Sequence, residues 1–551
     1  MPTKKSSSRR SRRRGRRLEH RKLLRFTKLC VLGVLCGLTI VACLPKADPP
    51  APVLPLNLVT VDPNASATPT PFQPAVESFT PAPTLTPLPS MTPLPTLTAT
   101  NTPTPIPTQT VTSAPTSILP TSPPNNPTST RPQYTFYVLF DYSGKQLAVD
   151  ETIRYTNQTG TTLSDIVLAV EANLSPNSFS LETLFIDGVT PNYELNGHRL
   201  TVFLPQALPP GGTLNLSMRY RLAIPPKYFD HPHGYLGYQI NLTEWYPFVA
   251  PYNGGWVLHD PWAFGEHLVY DSADFEVNMQ VEDQGIIVAA PAPAEPNGEW
   301  TRYRLQGART FAFSASDRFV MSESAVGEVV IRSYYFSWSE GAGEGMLNAA
   351  VQAVGLFEAK FAPYPYEVLN VVETESPDGQ EYDGLVFLSS DFYDQYGGSN
   401  RSNMVSIGVH EIAHNWWFGL VGNDQALEPW LDEAMSVYSE RIFYEFTNPA
   451  YGDWWWNFRV NYFKPSGWVD TSIYEGANFR TYTNASYLTG AYFLEDLRVR
   501  MGDRDFFNFL KDYATRFSYG HATGDDFFVV VRDNTDANVD DLIQAYFKGS
   551  Y

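Results

Sequence analysis

His410, Glu411 and His414 stand together in the run His-Glu-Ile-Ala-His, and these residue types at this spacing are suited to hold a metal and hydrolyse a bond beside it. Apolar residues from Val405 to Leu420 recur at helical spacing. Ser402 and Asn403 can cap such a helix, and Gly419 and Gly422 can stop it. His410 and His414 then lie one turn apart on one face, and both imidazoles can reach one Zn2+ at about 2.0 to 2.1 Å. Glu411 faces the position left open, where it can take a proton from water and pass it to a leaving amine. Glu433, in Trp-Leu-Asp-Glu, follows His414 after 18 residues on a second helix whose first turn is Glu428-Pro429, and completes a His2Glu set. The residues alone leave cobalt and manganese open beside zinc. Glu440, two turns past Glu433, is placed either to orient a ligand histidine or to face solvent. Trp416, Trp417 and Trp454 to Trp456 read as core or pocket wall.

The elements that must carry these residues differ along the chain. Tyr134–Phe140, Thr152–Tyr155, Arg199–Leu204 and Leu214–Tyr220 alternate apolar and polar, with turn clusters such as Pro209-Pro210-Gly211-Gly212 between such runs. Residues 133–322 are therefore expected to be an all-β domain. In residues 323–551 a strand at Val329–Phe336, a helix over Gly343–Phe361 and strands at Val368–Glu373 and Leu385–Leu388 precede long helical stretches, an α+β pattern. The expected organisation is multidomain, with the chemistry in the second domain.

Before residue 133 the composition changes. Of 39 Lys and Arg, 13 fall in residues 1–28 beside one acid, Glu19, which leaves 26 against 57 Asp and Glu in the rest. A body that acidic repels nucleic acid, so the basic head does not mark a nucleic-acid-binding protein. Residues 29–44 are apolar, shorter than the ~20 residues of a membrane-spanning helix, and end in Ile40-Val41-Ala42-Cys43, which resembles a lipobox. Lipidation at Cys43 and an uncleaved signal anchor are the two readings; both export the chain from residue 45 onward and tether it to the outer face of the cell membrane. Residues 45–132 are rich in Pro, Thr and Ser and are expected to be a disordered stalk. The three cysteines, Cys30, Cys36 and Cys43, all precede the body, which excludes disulfides and thiolate chemistry there.

The segment HEIAHNWWFGLVGNDQALEPWLDEA, with its 18-residue spacing, resembles the aminopeptidase N family of gluzincin metallopeptidases along its whole length. The resemblance extends from about Tyr134 to the end. It implies an all-β amino-terminal domain followed by a thermolysin-like catalytic domain, one zinc ion on His410, His414 and Glu433, Glu411 as general base, and peptides as substrates. It also implies roles for two further residues. In DGQEYDGLV, Glu381 aligns with the glutamate that binds the substrate's free amine, although Gln380 replaces the family's Met and Asp378 its first Gly. In Ser486-Tyr487-Leu488-Thr489-Gly490-Ala491, Tyr487 aligns with the tyrosine that stabilises the oxyanion. About 120 residues follow Glu433, so a form without the family's carboxy-terminal helical domain is expected.

An aminopeptidase is the leading expectation. The altered loop at Glu381 keeps open an endopeptidase or a peptidase of narrow specificity. A catalytically silent surface binding module is a third reading, opposed by the presence of both Glu411 and Tyr487.

Overall fold

The computed structural model describes residues 130–227 and 232–551. The basic head, the apolar run with Cys43 and nearly all of the expected stalk lie outside the described residues. No helix among the described residues is long and apolar enough to cross a membrane.

The first region is built of β-strands, as the alternation predicts. Its largest sheet has seven strands in the order Glu295–Asn297, Trp300–Ala308, Ala273–Val281, Gln133–Asp141, Gln146–Thr156, Thr213–Ala223 and Phe179–Ile186. Along Gln133–Asp141 every second side chain, Tyr134, Phe136, Val138 and Phe140, is buried, while Tyr137 and Leu139 face outward. Two four-stranded sheets complete the region.

The second region opens on a five-stranded sheet in the order Phe319–Val326, Val329–Phe336, Val368–Thr374, Leu385–Ser389 and Gly379–Tyr382. Its first strand crosses the expected boundary between residues 322 and 323 and pairs along its length with Val329–Phe336. Helix Glu340–Lys360 makes the crossover between two parallel strands, which no tight turn can do. Val368–Thr374 and Leu385–Ser389 are buried at every position because both sheet faces are covered. Helices Glu340–Lys360 and Asn403–Ala413 pack on the sheet, and a smaller apolar cluster joins Phe319, Phe336, Val372 and Phe387 to Ala289 and Ala312 of the β region.

Two local expectations need correction. Helix Asn403–Ala413 begins at the expected cap, Ser402, but ends seven residues before Leu420. Beyond it the chain closes wider turns, Gly419 N to His414 O and Leu420 N to Asn415 O, and Phe418 adopts a φ of 144°. That backbone is costly for a non-glycine residue and is held by the Arg309 Nε donating to the Phe418 carbonyl at 2.6 Å. The apolar pattern persists because Trp416, Trp417 and Leu420 are buried in this irregular segment, not because the helix continues. Between the two expected strands at Val368 and Leu385 the structure adds a third, Gly379–Tyr382, joined to Leu385–Ser389 by the two-residue turn Asp383-Gly384, with Gly384 at φ 68°.

Candidate active site

Helix Asn403–Ala413 starts with Ser402 Oγ accepting from the Val405 N–H at 3.3 Å and delivers His410 and Glu411 in its last turn, with His414 as the next residue. Helix Trp430–Thr447 packs against it and carries Glu433 in its first turn, where the helix dipole favours a carboxylate. The three side chains converge. His410 Nε2 lies 3.2 Å from His414 Nε2 and 3.1 Å from Glu433 Oε2, and His414 Nε2 lies 3.5 Å from the same oxygen. A tetrahedral ion with bonds of about 2.0 to 2.1 Å needs ligand atoms roughly 3.3 Å apart, so the triangle fits zinc.

Hydrogen bonding supports that fit. His410 Nδ1 faces Glu440 Oε1 at 3.1 Å and His414 Nδ1 faces the Trp417 carbonyl at 3.1 Å. Both rings therefore carry their proton on Nδ1 and turn an Nε2 lone pair toward each other and toward a carboxylate. Burial pushes the Glu433 carboxyl up, but positive charge on the two imidazoles, whose place a bound cation would take, outweighs it and holds it well below the usual range. Three buried electron pairs facing one another repel unless a cation sits among them.

Glu440, open between two readings in the sequence, is fully buried and holds His410. It accepts from Arg459 Nε at 3.0 Å, from Trp455 Nε1 at 3.0 Å and from Ser406 Oγ, as well as from His410. Glu440→Gln is expected to weaken metal retention by roughly 10- to 100-fold in a chelator competition, because the ring loses its anionic acceptor. Glu440→Ala is expected to cost about 3–5 kcal/mol in unfolding experiments, since it removes the carboxylate that faces the buried Arg459 charge.

Glu411 lies outside the triangle but within 4.8 Å of both His414 and Glu381 by its carboxylate. Burial, with the nearby carboxylates of Glu381, Glu433 and Asp378, raises it well above the ordinary range against the pull of His414. Gly379 lies directly against it: a Cβ there would fall 2.2 Å from Glu411 Oε1. The position before Gln380-Glu381 that excludes a side chain is thus Gly379.

Tyr487 sits in a widened, π-helical stretch, Asn484–Thr489, a form that recurs at functional sites. Its ring lies parallel to that of His410 with centroids 6.1 Å apart, and its hydroxyl is within hydrogen-bonding reach of Glu433. Burial and the Glu433 charge raise its pKa well above the usual value, so the phenol keeps the proton it has to donate.

Glu381 is buried on strand Gly379–Tyr382 and accepts from Gln380 Nε2 at 2.8 Å and Gln425 Nε2 at 3.2 Å. Three residues that the sequence alone does not single out join it. Glu266, from the β region, has a carboxylate within 4.8 Å of those of Glu381 and Glu433. Gln425 bridges Glu381 to Asp432, which it reaches at 2.9 Å. Asp432 is visible as the neighbour of Glu433, whereas nothing local marks Glu266, which meets Glu381 from 115 positions earlier in the chain. Burial first, then the charges around it, pushes Glu266 well above the usual carboxylate range. Glu266, Glu381, Glu411, Asp432 and Glu433 together form a dense cluster of carboxyl groups.

Residues 346–546 match the profile of the peptidase family M1 domain. This stretch is an M1 peptidase domain. It begins within helix Glu340–Lys360 and contains the triangle, Glu411, Glu381 and Tyr487, and the likeness to the aminopeptidase N group of gluzincins read from HEIAH and Glu433 holds. Aminopeptidase M1-B of Oryza sativa subsp. japonica is 25% identical over 235 residues, which are 40% of this chain and 27% of that protein. Endoplasmic reticulum aminopeptidase 1 of Mus musculus is 25% identical over 230 residues, 39% of this chain and 25% of that protein. The chain thus spans about a quarter of the length of these relatives. Among solved structures, an M1 zinc metallopeptidase from Deinococcus radiodurans superposes with a TM-score of 0.58 at 18% identity, covering 76% of this chain and 93% of that one. Its two-part fold, β-rich then helical, is the fold seen here.

Proposed function

We propose that this protein is a zinc aminopeptidase, and the observation that carries the proposal is the pairing of a His2Glu triangle with an adjacent cluster of buried carboxylates. The triangle calls for a divalent cation, and Glu381 with Glu266 calls for a second, smaller positive charge beside it. A peptide's free α-ammonium supplies that charge and can donate to both carboxylates. Zinc on His410, His414 and Glu433 would polarise the scissile carbonyl and make water nucleophilic near neutral pH.

The chain's own groups do the rest. Glu381 and Glu266 hold the amine, which fixes the first peptide bond as the one presented to Glu411. Glu411 takes the proton from the attacking water and returns it to the departing nitrogen. Tyr487 donates its hydroxyl hydrogen bond to the oxygen on which negative charge develops.

The decisive comparison uses one peptide with a free and with an acetylated amino terminus. The free form is expected to be cleaved from its amino end and the acetylated form at least about 100-fold more slowly, because acetylation removes a buried ion pair. Glu381→Gln should lower kcat/KM for the free form toward that of the blocked one. Equal rates on the two forms would instead favour an endopeptidase.

A further inference from the structure

A cavity of about 260 Å³ opens next to the proposed amine site, with Gln380, Glu381 and Gln425 on its border. Its walls are apolar and aromatic, from Leu174, Pro225, Leu268, Tyr270, Tyr382 and Phe418. Its polar content is one-sided. Four carboxylates, Glu171, Glu244, Glu266 and Glu381, reach it, and no lysine or arginine among the described residues lines it; His233 and His267 are its basic groups. The proposed function accounts for Glu266 and Glu381, which leaves Glu171 and Glu244 without a role.

Both of these carboxylates are built in. Glu171 pairs with His198 Nδ1 through one oxygen and lies 3.2 Å from His267 Nε2 through the other, so its plane is set from two sides. Burial raises its carboxyl, but the two imidazoles prevail and hold it below the usual range. A carboxylate has about four acceptor positions, and two neighbours leave room for an incoming donor. Glu244 accepts from the Tyr270 hydroxyl at 3.4 Å, with the hydroxyls of Thr243 and Tyr382 close by. Burial pushes it up to about 7, a value that an arriving cation lowers.

We propose that this cavity receives the side chain of the substrate's first residue and selects a basic one, arginine or lysine, with Glu171 and Glu244 meeting its cationic head. The inference rests on Glu381 as the amine anchor, which places the first side chain at the cavity mouth. The long methylene stem of either residue fits apolar walls, and its charged end reaches the carboxylates. An apolar side chain such as leucine would cover Glu171 and Glu244 without satisfying them, and an acidic one would add a fifth carboxyl group.

The test uses the whole protein loaded with zinc and the coumarin amides of arginine, lysine, leucine and glutamate. Arginine and lysine are expected to exceed leucine in kcat/KM by at least about tenfold, with glutamate the poorest. Glu244→Gln, and separately Glu171→Gln, should reduce the arginine-to-leucine ratio by about tenfold. The ratio does not depend on how much of a variant folds, and Glu244→Gln decides by itself if loss of Glu171 disturbs its histidines. Leucine amide cleaved as fast as arginine amide, or a ratio unmoved by both substitutions, overturns the basic preference while leaving amino-terminal cleavage standing. Failure of all four amides overturns both.

Discussion

Glu411→Gln is expected to lower kcat by about 10²- to 10⁴-fold while the protein keeps its metal. The carboxamide has nearly the same shape, so it can occupy the slot that Gly379 leaves against Glu411. It cannot take a proton from water, and that function alone is lost. The triangle is formed by His410, His414 and Glu433 with orientation set by Glu440 and the Trp417 carbonyl, none of which depends on Glu411. Metal analysis of the purified variant should therefore match the parent, with the loss confined to turnover. Activity within tenfold of the parent would remove Glu411 from the role of base, and loss of metal would show that it supports the ion instead.

Tyr487→Phe is expected to cost about 10²- to 10³-fold in kcat with KM little changed, since in the proposed role the hydroxyl acts where charge develops in the transition state and not in the bound substrate. The phenyl ring preserves the parallel contact with His410, so the site keeps its shape. Tyr482 is the natural control, because its ring meets that of Tyr487 edge-on at 5.6 Å and both hydroxyls lie in one buried region. A large loss in Tyr482→Phe with little in Tyr487→Phe would move the oxyanion role five residues back. Steady-state kinetics on one aminoacyl amide, with circular dichroism to check folding, separates the outcomes.

Short-range geometry is what made parts of the site legible in the sequence. His410 and His414 are one helical turn apart, and the stretch to Glu433 is a segment whose two helices pack together, so the triangle is readable from the spacing. Alternation likewise exposed strands such as Gln133–Asp141 and Thr213–Ala223, because one face of each is wet. The companions of the site were not legible for the opposite reason. Glu266, Arg459 and Trp455 arrive from other elements, and nothing in their own neighbourhoods records what they will touch. The strand Gly379–Tyr382 was missed because it is short and mostly polar, although Asp383-Gly384 is a hairpin signal that could have disclosed it. The apparent extension to Leu420 of the helix that carries His410 failed because periodicity reports burial, and an irregular segment can be buried too.

Arg309, which holds the strained Phe418, has a wider reach than that one turn. It follows the β-region strand Trp300–Ala308, and its guanidinium donates to the carbonyls of Phe418, Gly419 and Gly520 in the peptidase region and to Tyr270 in its own, while its backbone N–H donates to Asp383. One buried cation is thereby shared between the two halves of the molecule, and neither half supplies all of its acceptors. The free energy of each region is written partly in the other's atoms. The β region is for that reason expected to unfold together with the peptidase region and not as a detachable handle.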